Sequence, residues 1–220
     1  MKVEFLPQNV KSWYLGLIRP VVDFFIRLEL NPNFFTTIGF VLSIIAAYMF
    51  ATGSLRFAGL IVLLAGTFDI VDGQVARATN RVTKFGALYD STLDRYSEVI
   101  IFFGMAYFFV NESMLKTSVA VSIALGGSVM VSYVRARAEA LGFECKVGMM
   151  QRPERVVYIG LGALIHQVVL ILALTIVAVL ANFTALQRLY YIWQQENTPE
   201  KLELKKQQSA TPETGTTDAA

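Results

Sequence analysis

Two pairs of aspartates stand out in a chain that is otherwise strongly apolar. Asp69 and Asp72 are three residues apart, and Asp90 and Asp94 are four apart. On an α-helix, both spacings place the two side chains of a pair on one face. Four carboxylates brought together would repel one another, and divalent cations relieve that repulsion. All-oxygen ligands suit magnesium, manganese or calcium better than zinc, so the four aspartates predict a site for hard metal ions.

The other residue types exclude several alternative active centres. The 220 residues include one cysteine, Cys145, and one histidine, His166. An intramolecular disulfide and a multi-histidine metal site are therefore impossible. Serine, cysteine and histidine are not found in an activated arrangement, so we expect no covalent enzyme intermediate. The net charge of +2 gives no reason to expect a nucleic-acid partner.

The segments that surround the aspartates are typical of a membrane protein. Apolar residues make up 55% of the chain and the mean hydropathy is +0.51, whereas soluble domains contain about 45–50% apolar residues. Apolar stretches between residues 34 and 192 predict six transmembrane helices. The last of these stretches is uncharged over residues 156–187, and we expect a turn near His166 to divide it into two spans, about 153–165 and 168–192. Charges at membrane depth are costly, so the aspartates are functional candidates.

Basic residues predict the orientation of these spans. Six spans place four segments on one side of the membrane: 1–33, 76–85, 135–155 and 188–220. These segments hold 4, 3, 5 and 4 basic residues, whereas the opposite side holds Arg56 and Lys116. Cytoplasmic flanks are rich in Lys and Arg. Both termini and the aspartates are therefore predicted to face the cytoplasm, in the cell membrane.

The ends of the chain differ from its centre. Apolar side chains near helical spacing predict an interfacial amphipathic helix at about residues 8–30, with a slightly buried connecting helix as the alternative. Residues 196–220 are polar and low in complexity, which predicts a disordered cytoplasmic tail. The expected fold is thus an all-α integral membrane domain over residues 1–195, with the interfacial helix followed by six transmembrane helices.

The acidic segment resembles the signature of the CDP-alcohol phosphotransferase family. The pattern Asp69-x2-Asp72-Gly73-x2-Ala76-Arg77-x8-Gly86-x3-Asp90-x3-Asp94 agrees with that signature at all eight positions, and Pro32-Asn33-x2-Thr36 is also similar to the family. The resemblance covers roughly residues 5–195. It implies a six-helix membrane enzyme, usually a homodimer, that transfers a phosphatidyl group from CDP-diacylglycerol to an alcohol and releases CMP.

The resemblance also implies roles for individual residues. Asp69, Asp72 and Asp90 would bind two Mg²⁺ or Mn²⁺ ions per subunit, and Asp94 would bind metal and act as general base. The residues implied to contact the CDP-lipid are Asn33, Thr36, Asp69, Asp72, Gly73, Ala76, Arg77 and Gly86. For Gly73 or Gly86 taken alone, helix packing is an equally good explanation. The roles agree with general chemistry, because metal ions neutralise charge on a leaving phosphate and a positioned carboxylate can accept a proton.

The acceptor alcohol is predicted from the basic segment 132–155. Arginine suits phosphate oxygens, and the residues predicted to bind an acceptor phosphate are Arg135, Arg137, Arg152 and Arg155. Each of them could also serve only the orientation of the spans. The segment resembles the phosphatidylinositol-phosphate synthases of the family, whose acceptor is an inositol phosphate. A phosphatidylglycerophosphate synthase, another family member, or a non-enzymatic metal-dependent membrane carrier remain alternatives.

Overall fold

A computed structural model describes residues 8–28 and 30–198 of the chain. This part of the chain contains seven α-helices and no strand. The helices are α1 (Gln8–Arg27), α2 (Pro32–Ala51), α3 (Leu55–Ala78), α4 (Lys84–Asn111), α5 (Leu115–Ala140), α6 (Arg152–Ile165) and α7 (Gln167–Glu196). Most of the predicted tail, residues 199–220, lies outside the described residues.

Three of the helices are long and apolar enough to cross a membrane, namely α2, α5 and α7. Helices α3 and α4 are also long, but they carry the aspartates and arginines of the acidic segment. Helix α6 has 14 residues and is therefore about 21 Å long, shorter than a hydrocarbon core of about 30 Å. The seven helices agree with the predicted segments, whereas the six crossings stay a prediction.

The start of α2 follows from three consecutive residues. Pro32 is the first helical residue, and the side chain of Asn31 accepts a hydrogen bond from the main-chain N–H of Asn33 at 3.0 Å. Proline fits the first turn of a helix and asparagine is a good N-cap. This local sequence therefore ends the preceding connection and sets where α2 begins.

The predicted break near His166 is present. His166 has an extended backbone (φ −168°, ψ 152°), and its Nδ1 accepts a hydrogen bond from the N–H of Val168 at 3.2 Å. The turn brings α6 and α7 into close contact, because a Cβ atom on Gly162 would lie 3.1 Å from the Cα of Leu170. His166 is thus a turn residue that caps α7.

Glycines allow the helices that carry the acidic segment to approach closely. A Cβ atom on Gly59 of α3 would lie 2.6 Å from the carbonyl oxygen of Gly160 in α6, and one on Gly104 of α4 would lie 2.3 Å from that of Ala47 in α2. Small residues at such contacts are typical of membrane helix packing. Helix α3 is consequently in backbone-to-backbone contact with α6, and α4 with α2.

Helix α1 packs beside α3 and has a second apolar face. Ile18 and Val22 are buried in a cluster that includes residues of α2 and α3. Leu17, Val21 and Phe24 are 47–61% exposed. The predicted helix is therefore present over residues 8–27, and its position on a membrane surface stays a prediction.

Candidate active site

The four aspartates converge where α3 ends and α4 begins. Asp69 lies within electrostatic range of Asp72, Asp90 and Asp94. The start of α4 is set by Thr83, whose Oγ1 accepts a hydrogen bond from the N–H of Gly86 at 2.9 Å. The convergence expected from the spacing of the two pairs is therefore found.

Asp69, Asp72, Asp90 and Asp94 form the acidic centre, and helix α2 closes one side of it. The hydroxyl of Thr36 donates a hydrogen bond to Asp72 Oδ2 at 2.7 Å, and both side chains are buried. One turn further along α2, a Cβ atom on Gly39 would lie 3.2 Å from Asp69 Oδ1. Gly39 was not predicted from the sequence, although its position three residues after Thr36 places it on the same helix face.

Arg152 reaches the acidic centre from the start of α6. Its Nη1 donates a hydrogen bond to Asp69 Oδ2, and its Nη2 lies 2.7 Å from Asp94 Oδ1. The side chains of Arg152 and Asp94 are 22% and 12% exposed. Arg152 was predicted to face an acceptor phosphate, and the structure places its guanidinium against the aspartates.

A second ion pair lies deeper between α4 and α6. Arg155 Nε donates a hydrogen bond to Glu98 Oε1 at 2.7 Å, and Arg155 Nη1 donates one to the carbonyl oxygen of Met150 at 3.3 Å. Arg155 was also predicted to bind the acceptor phosphate, but in this structure its guanidinium is buried and paired. Glu98 was not predicted, although it follows Asp94 by four residues on the same face of α4.

The other predicted acceptor residues lie at the end of α5. Arg135 forms an exposed ion pair with Glu139 at 2.8 Å, and Arg137 is exposed. Arg135 and Arg155 are both within electrostatic range of Arg188 in α7. Arg188 is buried and donates hydrogen bonds to the carbonyl oxygens of Val131 and Val147. The sequence predicted Arg188 only as part of a cytoplasmic flank, because no residue near it in the sequence indicates that its side chain is buried.

The residues predicted to contact the CDP-lipid lie near the starts of α2 and α4 and near the end of α3. A Cβ atom on Gly86 would lie 3.4 Å from Asn33 Oδ1, which brings the start of α4 to the start of α2. A Cβ atom on Gly73 would lie 3.4 Å from the guanidinium of Arg77. Ala76 is half-buried and Arg77 is exposed. The structure thus gathers these side chains at one end of the helices, and their roles stay predictions.

The donor atoms of the acidic centre fit hard divalent cations. Asp69, Asp90 and Asp94 lie within electrostatic range of Arg95 and Arg152, and Asp72 adds a fourth carboxylate. The four acids therefore outnumber these two arginines by two. All of the carboxylate donors are oxygens, which magnesium and manganese prefer. Within residues 8–28 and 30–198, no three His, Cys, Asp or Glu side chains already have the geometry of a bound metal ion. Arg152 contacts both Asp69 and Asp94, so its guanidinium would compete with a metal ion for these two carboxylates.

Comparison with known proteins identifies the family. Residues 29–193 match the sequence profile of the CDP-alcohol phosphatidyltransferases. The chain belongs to this family. It is therefore a phosphatidyltransferase, as the resemblance of the acidic segment implied. Family membership and the three long apolar helices together make it a multi-pass membrane protein.

The similar proteins include inositol phosphate lipid synthases. The archaetidylinositol phosphate synthase of Methanothermobacter thermautotrophicus is 38% identical over 195 residues, which cover 84% of this chain and 97% of that protein. The phosphatidylinositol phosphate synthase of Mycobacterium tuberculosis is 30% identical over 197 residues, covering 86% of this chain and 91% of that protein.

Crystal structures of the Mycobacterium tuberculosis enzyme have the same fold. The structure with CDP-DAG bound superimposes with a TM-score of 0.74 at 30% identity, covering 83% of this chain and 95% of that one. The complex with manganese and citrate gives a TM-score of 0.72 and covers 83% and 90% of the two chains.

Proposed function

We propose that this phosphatidyltransferase transfers a phosphatidyl group from CDP-diacylglycerol to an inositol phosphate and releases CMP. The observation that carries the proposal is the convergence of four aspartates from α3 and α4, with Arg152 of α6 in direct contact with two of them. A phosphorylated acceptor needs a cation beside the reacting centre, and this arrangement supplies one.

The donor lipid would be held at the acidic centre by the metal ions and by residues near the starts of α2 and α4 and near the end of α3. Asp69, Asp72, Asp90 and Asp94 would hold two Mg²⁺ or Mn²⁺ ions, which neutralise the diphosphate of the CDP-lipid and the charge on the leaving CMP. The contacts from the protein itself would come from Asn33, Thr36, Gly73, Ala76, Arg77 and Gly86. Gly73 and Gly86 lack side chains that would obstruct the nucleotide. The structure of the relative with CDP-DAG bound supports a CDP-lipid as the donor.

Asp94 would act as the general base. Its carboxylate takes the proton of the acceptor hydroxyl, whose oxygen then forms a bond to the phosphorus that carries the lipid. The bond between that phosphorus and the bridging oxygen breaks, and its electron pair leaves with CMP. Direct displacement requires no covalent enzyme intermediate.

The acceptor phosphate would be bound by Arg152, with Arg135 and Arg137 at the end of α5. Arginine suits phosphate because it can donate two parallel hydrogen bonds. For Arg155, burial and pairing with Glu98 favour a supporting role beneath Arg152. The names of the relatives differ in the lipid, archaetidyl or phosphatidyl, but share inositol phosphate. This shared part supports inositol phosphate as the acceptor.

The wider arrangement follows from the predicted topology. Helices α2–α7 would cross the cell membrane six times, with the acidic centre and both termini facing the cytoplasm, and α1 would lie on the membrane surface. The distribution of basic residues supports this orientation. We also propose a homodimer, as is usual for the family.

An assay of CMP release tests the proposal. The purified chain is given CDP-diacylglycerol, Mg²⁺ and one acceptor from a panel of inositol phosphate, inositol, glycerol phosphate and serine, with a CDP-linked archaetidyl lipid as a second donor. We expect turnover with inositol phosphate and none in excess chelator. Turnover with glycerol phosphate but not inositol phosphate would make the chain a phosphatidylglycerophosphate synthase. Full activity in chelator would contradict the role of the metal ions.

A further inference from the structure

Arg152 contacts two of the aspartates that are proposed to bind metal. Its guanidinium bridges Asp69 and Asp94, through Nη1 on one carboxylate and Nη2 on the other. A divalent cation bound by Asp69 and Asp94 would compete with the guanidinium for these two oxygens.

Two ion pairs of different depth connect α4 to α6. Asp94 and Glu98 are four residues apart on α4, and Arg152 and Arg155 are three apart on α6, so each set lies on one helix face. The outer pair, Asp94–Arg152, is 12–22% exposed, whereas the inner pair, Glu98–Arg155, is 1–8% exposed. The outer pair is partly exposed and can separate towards solvent, while separation of the inner pair would leave two buried charges unpaired.

We infer that Arg152 is an exchangeable counter-ion of the acidic centre. It neutralises Asp69 and Asp94 in the metal-free enzyme, and divalent metal displaces it, while Glu98–Arg155 keeps α6 in place. The displaced guanidinium then becomes available to the acceptor phosphate, so the acceptor site is completed only after metal has bound. This inference rests on the proposed function.

The physical reason is the cost of unpaired carboxylates at low dielectric. Uncompensated buried charges are strongly unfavourable, and the acids outnumber the nearby guanidinium groups even with Arg152 in place. Exchange of one cation for another keeps the carboxylates compensated at every stage. A fixed arginine, by contrast, would compete permanently with the metal.

Direct measurement of Mn²⁺ binding tests the inference. The full chain in detergent micelles is stripped of metal and titrated with Mn²⁺, and free Mn²⁺ is followed by electron paramagnetic resonance. Arg152→Gln removes the competitor, so the Mn²⁺ Kd should fall roughly 10- to 100-fold, as expected for lost charge-assisted hydrogen bonds. The matched control is Arg56→Gln, an exposed arginine at the opposite end of α3, which should leave the Kd unchanged. An unchanged or weaker affinity in Arg152→Gln would overturn the inference.

Thermal unfolding gives a second, independent readout. Arg152→Gln should lower the unfolding midpoint of the metal-free protein but not that of the Mn²⁺-saturated protein. Arg152→Lys keeps the charge but cannot bridge two carboxylates with one planar group. Its Mn²⁺ Kd and its unfolding midpoint should therefore lie between those of the unmutated chain and of Arg152→Gln. Equal destabilisation of the metal-free and Mn²⁺-saturated forms would mean that Arg152 is a fixed structural residue, and would overturn the inference.

The two proposals fail in different ways. If the unmutated chain bound no Mn²⁺, the proposed metal centre would fail and this inference with it. If the unmutated chain bound Mn²⁺ and released CMP normally while Arg152→Gln left the Kd unchanged, the exchange of counter-ions alone would be wrong.

Discussion

Glu98 and Arg155 form an ion pair of 2.7 Å in which the two side chains are 8% and 1% exposed. The pair lies one helical turn inside the contact between Asp94 and Arg152, and it joins α4 to α6. A buried pair contributes little compared with a well-packed apolar core, but removal of one partner leaves the other charge uncompensated. The pair therefore fixes the register of the two helices that carry Asp94 and Arg152.

Glu98→Gln should destabilise the protein by about 3–5 kcal/mol, because Arg155 is left buried without a counter-charge. Denaturant unfolding in detergent measures the change. Glu139→Gln is the matched control, since it makes the same substitution in an exposed pair with Arg135, and it should cost at most about 1 kcal/mol. Similar losses in the two variants would contradict the structural role of the inner pair.

Gly59→Ala should push α3 away from α6, because the added Cβ would lie 2.6 Å from the carbonyl oxygen of Gly160. We expect a loss of about 1–3 kcal/mol, measured by thermal unfolding. Gly126→Ala makes the same change in α5 with no atom within 4 Å of the new Cβ, and it should be neutral or slightly stabilising. Equal effects would show that the α3–α6 contact is looser than described.

Asp94→Asn should largely abolish turnover and leave the affinity for CDP-diacylglycerol within about tenfold, because it removes the proposed base and only one of several proposed metal ligands. Asp69→Asn should impair both. CMP release and equilibrium lipid binding separate the two effects. The control is Asp23→Asn, an exposed aspartate of α1, which should behave as the unmutated enzyme. Near-normal turnover of Asp94→Asn would mean that another group is the base.

Arg152→Gln should raise the apparent KM for inositol phosphate roughly 10- to 150-fold, the equivalent of about 1.5–3 kcal/mol for a hydrogen bond to a charged group. The KM for the donor should change far less. Free inositol should be a poor substrate for the unmutated enzyme, because it has no phosphate to pair with the arginine. For the same reason, its apparent KM should hardly change in Arg152→Gln. Equal use of inositol and inositol phosphate would argue against the basic acceptor site.

A cysteine in place of Gln207 should react with a membrane-impermeant maleimide only from the cytoplasmic side. The native Cys145 should not be labelled in this experiment, because it is fully buried. Burial also raises the pKa of its thiol, which lowers the reactive thiolate fraction at neutral pH. Cys145→Ser provides the control for residual labelling. Reaction from the outside would mean that residues 156–187 cross the membrane once.

Local features of the chain were sufficient to predict most of the helices. The N-cap Asn31 with Pro32, the polar turn at His166 and the apolar stretches act over a few residues, so their effects are visible without any knowledge of packing. The shortness of α6 was also foreseen for this reason. Local features do not decide the number of membrane crossings. Three helices are long and apolar enough to cross a membrane, whereas α3, α4 and α6 do not meet both criteria.

The sequence by itself determined the acidic centre, because spacings of three and four residues place Asp69 with Asp72 and Asp90 with Asp94 on shared helix faces. Only the tertiary structure decided the partners of the arginines. Arg152 meets Asp69 across 83 residues and Arg155 meets Glu98 across 57. Arginine side chains are long and carry the same charge, so composition cannot distinguish the partly exposed Arg152, which is proposed to bind phosphate, from the buried Arg155 between two helices. The packing of α6 against α3 and α4 makes that distinction.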